Sequence, residues 1–229
     1  MKKQDIFFGI GILIVLAPFF IFDSVYTIYQ FLNAHYAIAI GFVKFAMLST
    51  LGEVIALRIR KGVYYDSSFG VLPRMLVWGV LGAWIVIAMK VFGAGAPMLS
   101  DYILGTNGEI TSAMKGSFSI YKLIGAFSIS LLMNTSFAPV FMTLHKISDT
   151  HILNYEGRLS ALVHPIPFSQ ILSQLNWKVQ WNFVFKKTIP FFWIPAHTIT
   201  FLLPSEFQVL FAALLGVALG IILAVAANK

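Results

Sequence analysis

The sequence has no cysteine, which excludes disulfides, thiolate metal sites and a cysteine nucleophile. It is poor in charge: 11% of its 229 residues are Asp, Glu, Lys or Arg, against about 25% in an ordinary soluble domain. Acids are the scarcer sign, nine against sixteen Lys and Arg, for a formal charge of +7. The basic residues form no run long enough for a phosphate-backbone patch, so nucleic acid is excluded as a partner. No phosphate-binding glycine loop, nucleophile elbow or H-E-x-x-H helix occurs. The chain is therefore not read as an enzyme, and no cofactor is expected.

Apolar residues fill the space that charge leaves. They make up 59% of the chain, and the mean hydropathy is +0.84. A soluble fold of this size could not hide so much apolar surface, whereas a bilayer accepts it as lipid-facing surface. The expected fold is all-α, a polytopic transmembrane helix bundle forming one integral membrane domain over residues 1–229, with the lipid bilayer as its partner.

Six apolar runs are candidate spans: 6–22, 37–57, 75–92, 120–144, 189–203 and 207–227. The range open is four to six spans, with six preferred. The first run resembles a signal peptide, but Ala17-Pro18-Phe19-Phe20 is no small-x-small cleavage site, so it is read as a retained span. Gly93, Gly95 and Pro97 are expected to stop the third run, with a polar loop over 98–118. Pro139 is expected to kink the fourth. Residues 145–176 read as the longest polar stretch. The segment 177–187 fits both a strand and a helix period; helix is chosen, because a lone strand in a membrane leaves its backbone unpaired. The fifth run is short and carries Pro190 and Pro195, so it either spans or re-enters.

Basic residues give a topology. With the N-terminus in the cytoplasm and six spans, Lys2, Lys3, Arg58, Arg60, Lys61, Arg74, Lys146, Arg158, Lys178, Lys186, Lys187 and Lys229 all lie inside. Only Lys115 and Lys122 lie outside, and Lys44 and Lys90 lie within spans. The expectation is a multi-pass membrane protein with both termini cytoplasmic.

Ionisable groups inside a bilayer are costly and mark functional candidates. Glu53 sits one turn or so inside Arg58 and is too short to snorkel; it faces a polar cavity or pairs with a basic residue of another span, such as Arg74. His197 stands beside Pro195, where a broken helix frees carbonyls. Lys44 and Lys90 are nearer span ends, where an anchoring role competes. His145, Asp149 and His151 form an H-x-x-x-D-x-H string whose first two members share a helix face, as metal ligands would; the alternative is a solvated polar cap. In the last run Ala212, Gly216, Gly220 and Ala224 recur every four residues, a smooth stripe for close helix approach, within the monomer or in a homo-oligomer.

Several stretches together are similar to the Mpv-seventeen and peroxisomal-membrane-protein-twenty-two family of small membrane proteins. They are Gly52-Glu53 after a small-residue run; Arg74 leading into a span with Trp78, Gly79, Gly82 and Trp84; and Trp177, Gln180, Asn182, Phe183 and Pro190 near the C-terminus. The resemblance covers roughly residues 40–225. It implies a channel-like or transport role for small solutes or ions, and adds Gln180 and Asn182 to the path candidates. The alternatives are a metal-dependent membrane enzyme using His145, Asp149 and His151, and a structural membrane protein without transport.

Overall fold

The computed structural model describes residues 3–226, helical almost throughout and without a strand. Lys2, Lys229 and residue 227 of the sixth run lie outside the described residues. Near the N-terminus come α1 (Lys3–Leu16), α2 (Pro18–Ile21) and α3 (Asp23–His35). Next is α4 (Ala37–Lys61). It ends at Gly62, whose left-handed backbone (φ +77°) lets its N–H reach the Arg58 carbonyl, and Arg58, Arg60 and Lys61 meet the negative end of the helix dipole.

Helix α5 runs from Val71 to Leu104. The expected stop at residue 92 is therefore wrong: Gly93, Gly95 and Pro97 all lie inside the helix. Apolar surroundings offer the backbone no other partner, so helix continues through residues that would end it in water. The turn comes only at Gly105, again left-handed, and α6 (Glu109–Ala113) interrupts the expected polar loop. Asp101 holds this turn by accepting from Thr106 Oγ1, the Ile110 and Thr111 amides and Thr111 Oγ1, at 2.6–2.9 Å.

Helix α7 (Ile120–Leu132) is capped by Ser119, which accepts from the Lys122 amide. It continues through a π-helical turn, Met133–Phe137, into α8 (Ala138–Asn154). A widened turn absorbs the amide that Pro139 lacks. The apolar run expected to end at 144 thus belongs to a helix that continues to 154, into the stretch read as polar. Two short helices follow, α9 (Phe168–Gln174) and α10 (Trp177–Val179), the latter leading into a π-helical segment, Gln180–Trp193, and α11 (Ile194–Leu202). Residues 177–187 are helical, as their membrane setting requires. The run 189–203 is the end of this longer helix and not a separate element. Last comes α12 (Ser205–Ala226).

Among the described residues five helices are long and apolar enough to cross a membrane: Lys3–Ile21, Ala37–Lys61, Ser67–Leu104, Ile120–Asn154 and Ser205–Val225. The helix from Trp177 to Leu202, with Lys178, Lys186 and Lys187, is not among them. Five falls within the expected four to six, and the protein is a multi-pass membrane protein.

Five helices close a ring, with α4 packed on α5, α5 on α7, α7 on α11, α11 on α12 and α12 back on α4. Its centre is filled by Ala88, Met89, Ala126, Ile129, Met133 and Phe201, and by Phe45 with Ala212 and Ala213. Glycine permits the closest approaches: a Cβ at Gly82 would stand 2.3 Å from the Phe45 Cβ, and one at Gly52 would stand 2.9 Å from the Val217 Cα. Helices α1 and α3 bury no residue. The first is tied to α4 by an Arg58–Asp5 ion pair (2.8 Å) and to the segment after it by Phe8 stacked on Tyr64 (4.1 Å).

Candidate functional site

Three helices bring a charge cluster together. Glu53 comes from α4, Arg74 from the first turn of α5, and His145 and Asp149 from successive turns of α8. The Arg74 guanidinium is buried; its Nη1 donates to Glu53 Oε2 at 2.9 Å and also to Asp149 Oδ1. Its Nε donates to the Phe69 carbonyl at 2.7 Å, and the Phe69 ring lies 4.3 Å beneath it. Glu53 Oε1 accepts from Trp78 Nε1 at 3.0 Å and lies 3.3 Å from His145 Nε2. The His145 ring leans on Trp78, centroids 4.3 Å apart. One guanidinium thus serves two carboxylates, and a proton on His145 would make the group electroneutral.

Phe69 is placed for this by the turn before α5. Gly70 (φ +73°) and Gly157 (φ +72°) meet there, and a Cβ on Gly157 would stand 2.5 Å from the Gly70 amide nitrogen. Both need a left-handed backbone and no side chain. The turn ahead of α5 and the chain leaving α8 are thereby pressed together at the end of the bundle where Arg74 and Asp149 meet.

The metal string divides. His151 points away from its expected partners, its Nε2 at 2.9 Å from the Ala161 carbonyl. It lies six residues beyond His145, about 600° around an α-helix and so on another face. Glu53 takes its place: donor atoms of Glu53, His145 and Asp149 lie within 4.8 Å of one another. Two carboxylates and one imidazole fit a divalent ion chemically, but Arg74 already supplies the cation between the carboxylates.

His197 belongs to a second polar group, where the two π-helical stretches meet. The Asn134 amide lies 3.0 Å from His197 Nδ1, and its Nδ2 donates to the Ser130 carbonyl at 2.8 Å. Ser130 Oγ donates to the Ile194 carbonyl at 2.7 Å. The His197 ring stacks on Trp193 at 5.0 Å.

Aromatic rings join the two polar groups. Phe137 stands 5.5 Å from Phe141 and 4.7 Å from Trp84, and Phe141 stands 6.4 Å from Trp78, which touches His145. Asn134, Phe137, Phe141, His145 and Asp149 therefore form one stripe along the helix from Ile120 to Asn154, polar at both ends and aromatic between.

The other sequence candidates lie elsewhere. Lys44 is buried at the far end of α4 against α3, and Lys90 borders a shallow groove of about 750 Å³ with His35 and Tyr36. Gln180 is buried without joining either group, and Asn182 is exposed on the helix surface. The Ala212, Gly216, Gly220 and Ala224 stripe meets α4, with a Cβ at Gly216 3.9 Å from Ser49 Oγ and one at Gly220 3.7 Å from the Gly52 carbonyl. Sequence reasoning passed over Asn134, and over Trp78 as a hydrogen-bond donor. Their signal was polarity at a buried position of an apolar helix.

No known protein family matches the chain, and neither a curated protein nor a solved structure is significantly similar to it.

Proposed function

We propose that this chain is a transport protein that passes small solutes or ions through its helical bundle along the stripe from Asn134 to Asp149. The observation that supports it is the arrangement of two polar groups separated by an aromatic column. Polar side chains in a bilayer are retained where a solute or ion needs them, and aromatic constrictions between them gate passage. In this reading Glu53, Arg74, His145 and Asp149 form the charged end, Asn134 and His197 the neutral end, and Trp78, Trp84, Phe137 and Phe141 the barrier. Two acids on one cation, with a histidine beside them, suit a step coupled to proton binding.

The resemblance to the Mpv-seventeen and peroxisomal-membrane-protein-twenty-two family agrees with this proposal, since Glu53, Arg74 and Trp78, which carry it, are hydrogen-bonded together. The proposed setting is a bacterial inner membrane with both termini cytoplasmic, which requires the helix from Trp177 to Leu202 to cross as a sixth span and places the charged end on the inner side. The metal-enzyme alternative has one observation behind it, the donor triad of Glu53, His145 and Asp149.

The test is solute flux and single-channel recording on the purified protein in liposomes, with metal content measured on the same batch. Flux that changes in Glu53→Gln and His197→Ala while both variants insert normally supports transport. Stoichiometric iron or zinc without flux moves the assignment to the metal reading. Absence of both leaves the cluster a structural one.

A further inference from the structure

We propose that the place where α3 closes over α4 is an oxyanion site, in which Lys44, Tyr29 and Asn33 hold a carboxylate or phosphate group. Lys44 is only 7% exposed. Its Nζ donates to Asn33 Oδ1 at 2.7 Å and lies 4.8 Å from the centre of the Tyr29 ring. The Asn33 amide Nδ2 donates to the Glu206 carbonyl at 3.3 Å, which turns Oδ1 toward the lysine.

No carboxylate answers this charge. The sequence has nine Asp and Glu side chains, all among the described residues, and none forms an ion pair with Lys44. Asp5 pairs with Arg58, Glu53 and Asp149 with Arg74, Asp66 with Lys61 and Glu156 with Arg158. Asp101 is taken up by its turn, Glu206 Oε2 lies beside Ser205 Oγ, Asp23 stands in the first turn of α3, and Glu109 faces Tyr121. A buried ammonium with one of its three donors used and no counter-charge is a costly arrangement.

The second observation is the Tyr29 hydroxyl, which is buried and without a hydrogen-bond partner. Burial, followed by the neighbouring Tyr26 and Glu206, holds this phenol above its usual pKa, so it remains a donor. The site therefore offers an unneutralised cation and a free O–H on the ring beneath it. An anion with two or more acceptor oxygens satisfies both; a cation or a pure donor satisfies neither. The cover is lightly packed, since α3 buries no whole residue of its own.

The oxyanion can come from a free solute or from a lipid phosphate, and the test separates them. The full chain in uncharged maltoside micelles is titrated by calorimetry with inorganic phosphate and with acetate. It is also examined by native mass spectrometry with phosphatidylglycerol against phosphatidylcholine. Saturable binding of either free anion marks a solute site; selective retention of phosphatidylglycerol marks a lipid site. Either should weaken about 10- to 100-fold in Lys44→Gln, the worth of a charge-assisted hydrogen bond, and survive in Lys44→Arg. Tyr29→Phe, which removes one oxygen, should weaken it several-fold and serves if Lys44→Gln does not fold. The proposal is overturned if the wild type holds none of the three anions, or if Lys44→Gln binds as tightly as wild type. It is overturned as well if binding appears only in Glu206→Gln, since Glu206 would then be the lysine's own partner.

Discussion

Arg74→Met is the most informative single change. It leaves Glu53 and Asp149 facing each other with no cation, in a place where the arginine side chain is only 5% exposed. Removing one partner of a buried ion pair costs about 3–5 kcal/mol, and here two acids are stranded at once. For a chain of this length about 2–4 °C is lost per kcal/mol, so the thermal midpoint in detergent should fall by roughly 6–20 °C. The loss should be conditional. In the triple variant Arg74→Met, Glu53→Met, Asp149→Leu no charge is left to strand, and apolar replacements of buried ion pairs are often neutral or stabilising. The midpoint should then return to within about 1 kcal/mol of wild type, while liposome flux stays abolished. Midpoints and flux would be measured on the same preparations. A drop of under about 1 kcal/mol in Arg74→Met, below the range for a buried pair, would refute the electrostatic reading of the cluster. Full flux in the stable triple variant would refute its role in transport.

Further outcomes follow from other contacts. Gly157→Ala places a Cβ on a left-handed residue 2.5 Å from the Gly70 nitrogen, and should lose about 1–3 kcal/mol in thermal unfolding. Gly52→Val drives side-chain atoms into the Val217 backbone; overpacking of this kind costs about 1–3 kcal/mol and should loosen α12, read as faster amide exchange there. Phe141→Ala opens the aromatic column and should raise passive leak in liposomes, with a stability loss below the roughly 3–5 kcal/mol of a fully buried phenylalanine. Asp66, outside the spans, is held down from 3.8 to about 2 by its bond to Lys61 and then by Ser68. A depressed carboxyl pKa stabilises the fold above pH 3.8, and that contribution is lost as pH falls toward 2. A carboxyl resonance titrating near 2 in wild type, and raised part of the way toward 3.8 in Lys61→Ala, where the Ser68 bonds remain, checks it.

Much of the fold could be read because the apolar runs are long and the bilayer forces helix. Their ends could not, because the usual signals describe chains in water. Gly93, Gly95 and Pro97 would stop a soluble helix, yet α5 passes through all three. The cluster was half legible. Glu53 was conspicuous as a short acid in an apolar run, with Arg74 as a possible partner, while Asp149 was sought as a metal ligand. His151 was wrongly grouped with His145 because chain proximity was allowed to outweigh helical phase. Asn134 and His197 each stood out as polar residues in apolar runs, but their pairing was not legible, since two helices distant in sequence bring it together.

The widened turn at Met133–Phe137 also fixes a phase. An α-helix advances about 100° per residue, so whatever lies beyond that turn is aimed by how many residues it contains. Removing one would restore a regular helix and swing His145 and Asp149 by about that angle away from Arg74. Every residue would be kept in type but not in bearing. The turn beside Pro139 thus acts as an indexing element: composition along this helix can drift widely, but its residue count cannot.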